Sequence, residues 1–373
     1  MFILLSIETI YSVETGISFI KRGIWAAPGS SAFLDWLWST SLIGDDGKRY
    51  WFDGALLVLK LENVDTCTWD LCTESGKVRQ DPNSVYKIAD FIGGKRSRKD
   101  PLPGGTHKVT RTGEKVVVEI GCIKVVCNKD HSWNIVINDA EKNFSADIRH
   151  KPVCHGPLWY GREKPSYLTQ HSVTYGYNCS GAVEGVLTID GKEIRVKGAG
   201  IRERYIAVDS SAAEIGGWED WGWFHFDEAF GSVYDFRLGM KDQVITLVDE
   251  NKNLPAGKLD IQHHEWAHMP QFGGFIPTVY KIKIETEAGT LDITAHAATA
   301  RTWGVTGKCP DNPVATIHWD IVEGTFTGMD GKIKELHNGY GDMSIRQWRA
   351  YPSLIPPIDL NIGMNKEEKF TTL

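Results

Sequence analysis

Apolar and polar residues alternate one by one along much of this chain, and several of the alternating runs break at Asp-Gly turns. Tyr280, Ile282 and Ile284 interleave with Lys281, Lys283 and Glu285, a period of two that gives a half-buried strand one apolar face. Glu287-Ala-Gly-Thr290 separates that run from Leu291-Asp-Ile-Thr-Ala-His296, which predicts a hairpin. The same pattern recurs in residues 183–189 and 193–196 around Asp190-Gly191, and in residues 41–43 and Arg49–Leu59 around Asp45-Asp-Gly47. Asp330-Gly331 marks a further turn. Asp-Gly signals a hairpin because the tight turns need positive φ. Long amphipathic helical periodicity is missing, so the chain reads as all-β, built from short strands into barrels or sandwiches.

At 373 residues, two domains are expected, since a domain takes about 100–200 residues. The loop-like segment 206–217 suggests a division into residues 1–207 and 208–373. A second segment, 95–105, carries Lys-Arg-Ser-Arg-Lys-Asp-Pro-Leu-Pro-Gly-Gly and reads as a long exposed loop. A hydrophobic fraction of 42% with 24% charged residues excludes wholesale disorder. The net charge of −7 argues against nucleic acid as a partner, because phosphate binding needs clustered Lys and Arg. No run approaches the roughly 20 apolar residues of a membrane-spanning helix. The first eight residues are apolar but lack a basic start, so a cytoplasmic protein is expected, with secretion as the alternative.

Seven cysteines stand at 67, 72, 122, 127, 154, 179 and 309. Cys67 and Cys72, like Cys122 and Cys127, are five apart, which on a strand points them to opposite faces. No CxxC is present, so no structural zinc site is expected. The unusual item of composition is 14 tryptophans. Tryptophan combines a large apolar ring with one polar handle, which suits a pocket for something lipophilic.

Four segments, in order, resemble the carotenoid 1,2-hydratase (hydroxyneurosporene synthase) and AttH-like family. They are Leu34-Asp-Trp-Leu-Trp38 through Gly44-Asp-Asp-Gly-Lys-Arg-Tyr-Trp-Phe52; Ser180-Gly-Ala-Val-Glu-Gly-Val-Leu-Thr-Ile-Asp-Gly-Lys192 leading to Gly198-Ala-Gly-Ile-Arg-Glu-Arg-Tyr205; Trp221-Gly-Trp-Phe224 with Val233-Tyr-Asp-Phe-Arg-Leu238; and Val322-Glu-Gly-Thr-Phe-Thr-Gly328 with Gly339-Tyr-Gly341. The resemblance implies two lipocalin-like antiparallel β-barrels side by side, with a hydrophobic substrate at or near their junction. It also implies chemistry without a metal or other cofactor, either hydration of a carotenoid or prenyl double bond or Diels–Alder cyclisation. One signature departs from the family pattern. Glu203 stands where the family has Asp, Arg204 where it has His or Arg, and Tyr205 where a further polar residue follows. Arg202 replaces an apolar residue.

The candidate catalytic residues are therefore Glu203, Arg204, Tyr205 and His225. Along a strand Arg202 and Arg204 share one face, and Glu203 and Tyr205 the other. A Glu203 buried with its proton could protonate an alkene or donate to a substrate carbonyl. The same four residues also fit a structural ion pair between the domains. Trp221, Trp223 and His225 fall on one strand face, where indoles can stack on substrate and stabilise a developing cation, and His225 can accept or donate a proton. A core strand with a satisfied histidine fits equally. Trp36, Trp38, Arg202 and His264 complete the expected substrate contacts. His263-His-Glu-Trp-Ala-His268 is not a metal motif, because four residues along a strand separate His264 from His268 by about 13 Å.

Taken with these residues, the resemblance implies a cofactor-independent cyclase or isomerase of a lipophilic polyene. Hydration of a C=C bond and non-catalytic carriage of a hydrophobic ligand are the alternatives.

Overall fold

The computed structural model describes residues 32–59, 63–91, 94–153, 158–160, 166–169, 172–208, 218–236, 241–247, 252–303 and 314–347. The N-terminal segment lies outside them. Within them the chain is almost entirely strand, as the alternation predicts. The first strands are β1 (Ala32–Gly44), β2 (Arg49–Leu59), β3 (Val64–Cys72), β4 (Lys77–Gln80), β5 (Lys87–Asp90) and β6 (Arg96–Pro103). There follow β7 (Lys108–Thr112), β8 (Lys115–Ile120), β9 (Ile123–Cys127), β10 (Trp133–Asp139) and β11 (Phe144–Pro152). Next come β12 (Leu158–Tyr160), β13 (Ser166–Thr169), β14 (Ser172–Ile189) and β15 (Lys192–Val208).

The first sheet runs β6-β3-β2-β1-β15-β14-β11-β10-β9-β8-β7, with β12 and β13 beside β14. It curls around a core that includes Trp36, Trp38, Phe52, Trp69, Trp133, Phe144 and Ile148, and is called barrel A below. The predicted hairpins are present. Asp190-Gly191 joins β14 to β15, in register from Ile189 opposite Lys192 to Val173 opposite Val208. Asp190 and Gly191 both take positive φ, at 52° and 79°.

The second sheet comprises β16 (Trp218–His225), β17 (Ala229–Phe236), β18 (Lys241–Leu247), β19 (Lys252–Met269), β20 (Gly274–Thr286), β21 (Gly289–Trp303), β22 (Val314–Gly328), β23 (Ile333–Leu336) and β24 (Tyr340–Gln347). Eight of these follow the order β18-β17-β16-β24-β22-β21-β20-β19, and pairing of β18 with β19 closes the ring. Closure removes the sheet edges, and at eight strands side chains fill the interior. Its core includes Phe224, Phe226, Tyr280, Trp319 and Met343. This is barrel B.

Two features differ from the sequence reading. Segment 95–105 contains a strand: β6 pairs with β3 from Val64 opposite Pro103 to Leu71 opposite Arg96. It is the edge of the sheet, where Pro101 and Pro103 are tolerated because an outward N–H has no ladder partner to lose. Its arginines are held by acids: Arg98 pairs with Asp100 and Asp139, each at 3.1 Å, and Arg96 with Asp190. The hairpin β4–β5, from the first half of the chain, belongs to the second sheet. It pairs in parallel with β19, Lys87 opposite Ala267 and Ile88 opposite His268. Cys67 and Cys72 point to opposite faces, Cys67 into the barrel A core and Cys72 to Thr299 of barrel B at 3.5 Å.

Candidate functional site at the barrel junction

The pleat of β1 and β15 decides where each candidate side chain points. Directly opposed residues share a face. Trp36 stands opposite Arg204, Trp38 opposite Arg202 and Leu37 opposite Glu203. Trp36 and Trp38 are fully buried in the barrel A core. Arg202 and Arg204 therefore turn into barrel A, and Glu203 turns to the opposite face.

Inside barrel A, the Arg204 guanidinium lies 3.9 Å from the centroid of the Trp36 ring and donates from Nη1 to the Asp35 carbonyl at 2.7 Å. Arg202 lies 4.7 Å from a Trp133 ring centroid and donates to the His131 carbonyl at 2.6 Å. Cation–π contacts of this kind reach about 2 kcal/mol when desolvated. They are one way to hold a charge in an apolar interior. His150 joins this end, its Nε2 donating to the Gly200 carbonyl at 3.1 Å. Burial, reinforced by the charge of Arg202, lowers its pKa to about 3. The expected substrate contacts Trp36 and Trp38 are thus packed within the core.

The opposite face of these strands meets barrel B, with β1 against β24, β15 against β16 and β14 against β17. Barrel A presents Ser39, Asp53 and Asp70, aligned across β1, β2 and β3. Barrel B presents Arg301 from β21, and His318 opposite Asp342 on β22 and β24. All six are buried. Arg301 Nε is 2.9 Å from Asp53 Oδ2, and its Nη1 is 2.6 Å from Asp70 Oδ2. His318 places Nε2 2.9 Å from the same Asp53 oxygen and Nδ1 3.5 Å from Asp342 Oδ2. The Ser39 hydroxyl, with one proton to give, lies 2.7 Å from Asp53 Oδ1 and also against Asp342 Oδ2, so the two carboxylates share it. Burial opposes a charge on His318, but Asp53 and Asp342 outweigh it and raise its pKa to about 10. Asp53 is likewise held below the usual carboxylate range, because His318 and Arg301 overcome its desolvation.

Asp53, His318 and Asp342 offer ligand atoms that all lie within 4.8 Å of one another, a metal-type cluster. The contacts favour an ion network instead. A protonated His318 has both ring nitrogens directed at carboxylates, and the Arg301 guanidinium already lies against the Asp53 oxygen that a cation would take. The adjoining cavity, lined in part by Trp51, Cys72 and Thr299, has a volume of ≈ 10 Å³, about the room of one water.

Glu203 is buried on the same junction. Tyr234 of β17 donates its hydroxyl to Glu203 Oε2 at 3.3 Å, long for an O–H···O bond, whose usual length is about 2.7–2.8 Å. Trp221 stands opposite Tyr234, with ring centroids 6.0 Å apart, and packs on Leu37, Ala55 and Leu57 of barrel A. Trp223 and His225 continue that strand face at period two. His225 stacks on Phe230 at 5.9 Å, and burial lowers its pKa to about 4. It is therefore a neutral imidazole at neutral pH. Trp221 Nε1, Trp223 Nε1 and His225 Nδ1 are buried with no hydrogen-bond partner among the described residues.

The junction thus gathers Glu203, Trp221, Trp223 and His225 from the expected set. Tyr205 takes its place in β15 opposite Asp35, but its side chain lies outside the described atoms. His264 is on β19, four strands from β24 in either direction around barrel B. Its neighbour His263 turns into barrel B and pairs with Asp220 at 2.9 Å. It also meets the rings of Trp266 and Tyr280 edge-on at 5.5 and 5.4 Å.

No family model and no curated protein matches the sequence. Solved structures do match. An AttH-type protein from Nitrosomonas europaea is similar over 87% of this chain and 95% of its own, with 14% identity and a TM-score of 0.56. The chain has an AttH-like, two-domain lipocalin-like fold. Kievitone hydratase from Nectria haematococca is similar over 84% of this chain and 89% of its own, at 13% identity and a TM-score of 0.50. CghA, solved with Sch210972, is similar over 85% and 89%, at 11% identity and a TM-score of 0.51.

Within the AttH-like fold, the sequence reading misses Tyr234, Asp53, Asp70, Arg301, His318 and Asp342. A signal for Tyr234 exists: a hairpin that brings Val233 opposite Gly222 sets Tyr234 beside Trp221. Asp53 and Asp70 also interrupt strands whose neighbours are otherwise buried. Nothing local, however, matches these acids to Arg301 and His318 across more than two hundred residues.

Proposed function

We propose that this chain is a cofactor-independent enzyme that binds a lipophilic polyene at the barrel junction and cyclises or isomerises it. The observation that carries this reading is the buried Glu203–Tyr234 contact, made across the two barrels and beside the Trp221 ring. Its length of 3.3 Å makes it a weak hydrogen bond, so exchanging it for one to a substrate oxygen costs little. An aromatic wall folds the substrate into a near-attack conformer. The carboxyl or phenol then polarises a carbonyl, lowering the barrier to ring closure. The fold of CghA, which has been solved with Sch210972, supports a scaffold of this kind around an organic ligand.

Hydration is the second reading, favoured by His225 and by the shared fold of kievitone hydratase. Here Glu203 would protonate the alkene, the indoles would shield the cation, and neutral His225 would take the proton from the attacking water. A carrier would bind on the same face and leave its ligand unchanged.

Incubation with candidate polyenes, followed by mass spectrometry of the products, separates the three. An isobaric product with a new retention time marks cyclisation or isomerisation, and a gain of one water marks hydration. Tight binding with no turnover across the panel defeats the enzyme reading in favour of the carrier.

A further inference from the structure

Three polar ring nitrogens line the face of β16 turned to the junction, at alternate positions: Trp221 Nε1, Trp223 Nε1 and His225 Nδ1. Each is buried, and none has a hydrogen-bond partner among the described residues. Trp223 is only 1% exposed. Their spacing follows from the strand, about 7 Å from one to the next. Unpaired tryptophan N–H groups also occur at Trp38 and Trp319, in the two separate barrel cores, and singly at Trp51, which packs with Cys72 and Ala298 beside His318. On β16 three fall in a row, on the face that carries the Tyr234–Glu203 contact.

Leaving a buried donor unsatisfied costs about 1–3 kcal/mol, and an apolar ligand repays none of it. A hydrocarbon chain laid along β16 would keep all three nitrogens unpaired. A chain bearing carbonyl or hydroxyl oxygens would satisfy them, while its carbon skeleton packs on the indole faces. The indoles are donors only, so the ligand atoms facing Trp221 and Trp223 must be acceptors. Neutral His225 can donate or accept at Nδ1 according to its tautomer.

Resting on the reading of the junction as a lipophile site, we infer that its substrate is an oxygenated lipophile, with acceptor oxygens along one edge, and not a hydrocarbon polyene. Trp221 and Trp223 then determine specificity through their N–H groups as well as their ring faces. A site built to bond a substrate oxygen discriminates against the analogue lacking it, because its own buried donors are left unpaired.

The test is calorimetric titration with two probes: pseudoionone, a conjugated C13 ketone, and the C13 hydrocarbon in which its carbonyl is replaced by methylene. The ketone is expected to bind about 10-fold tighter, the equivalent of about 1.4 kcal/mol. Trp221→Phe and Trp223→Phe retain a ring and remove the N–H; at least one should bring the ratio close to unity. Trp319→Phe, which removes an unpaired N–H from the barrel B core, should leave the ratio unchanged. Circular dichroism of each variant confirms folding. Equal affinity of the two probes for the wild-type protein overturns the inference and leaves the lipophile site standing. A ratio that survives both Trp221→Phe and Trp223→Phe also overturns it. Failure of both probes to bind overturns the lipophile site itself.

Discussion

His318 keeps its proton because two carboxylates hold it in a place water does not reach, and this ties one residue to the pH range of the fold. Its pKa is raised from 6.5 to about 10. The stabilisation it contributes is therefore fully present below 6.5 and is lost as pH rises through 10. Denaturant midpoints should fall across that window in the wild type and change much less in His318→Gln. At pH 7 the substitution should cost about 3–5 kcal/mol, because it leaves Asp53 and Asp342 without their cation. The acid side has the reverse sign. His150 and His225 are held neutral, with pKa values lowered from 6.5 to about 3 and about 4. The unfolded chain takes up protons first, so stability falls as pH drops from 6.5 towards 3. A second residue-level expectation concerns the proposed chemistry. Glu203→Gln should lower kcat by about 10²-fold or more, as removal of a general acid does, and Tyr234→Phe should lower it less. Full turnover by a folded Glu203→Gln would show that the acid lies elsewhere.

At the scale of strands, the limiting feature is how closely β1 and β2 approach. Gly54 lies opposite Trp38, and a Cβ there would overlap the indole, which is buried in the core and has nowhere to move. Gly191, in the β14–β15 turn, has open space around its Cβ position and a φ of 79°. Gly54→Ala should therefore destabilise by overpacking, about 1–3 kcal/mol, whereas Gly191→Ala meets only the left-handed backbone penalty, about 1–2 kcal/mol. Thermal melts of the two variants check the order. The same contrast explains which elements were legible in the sequence. The Asp190-Gly191 hairpin is encoded by its own turn and alternation, and so can be read locally. β6 cannot, because its two prolines and basic run resemble a loop until β3 and the acids that pair with Arg96 and Arg98 are beside it. The split of Arg202 and Arg204 from Glu203 follows from period two alone. Which of those faces meets barrel B depends on Trp36 and Trp38 filling barrel A, a tertiary fact.

At the scale of the molecule, the proposed site exists only where the barrels meet, since Glu203 comes from β15 and Tyr234 from β17. What holds that junction is unusually polar. Arg301 of barrel B is paired with both Asp53 and Asp70 of barrel A, His318 with Asp53 across the same boundary, and Ser39 with Asp342. Hairpin β4–β5 adds a mechanical link, pairing with β19 while its chain continues into β6 of the first sheet. Buried ion pairs give modest net stability over apolar packing, but removing one partner leaves an uncompensated charge and is strongly unfavourable. This asymmetry makes Arg301 the residue on which docking of the barrels depends. In the wild type at pH 7 the two barrels should unfold in one calorimetric transition, because separating them exposes Asp53, Asp70 and Arg301 together. Arg301→Ala should divide that transition in two, since the barrel cores are intact but their contact is lost. Turnover, which needs Glu203 and Tyr234 in register, should fall with it. Two transitions in the wild type would show that the network does not couple the barrels. A single lowered transition in Arg301→Ala would place its contribution in general stability, leaving docking to the hairpin and the apolar packing of Trp221 on Leu37, Ala55 and Leu57.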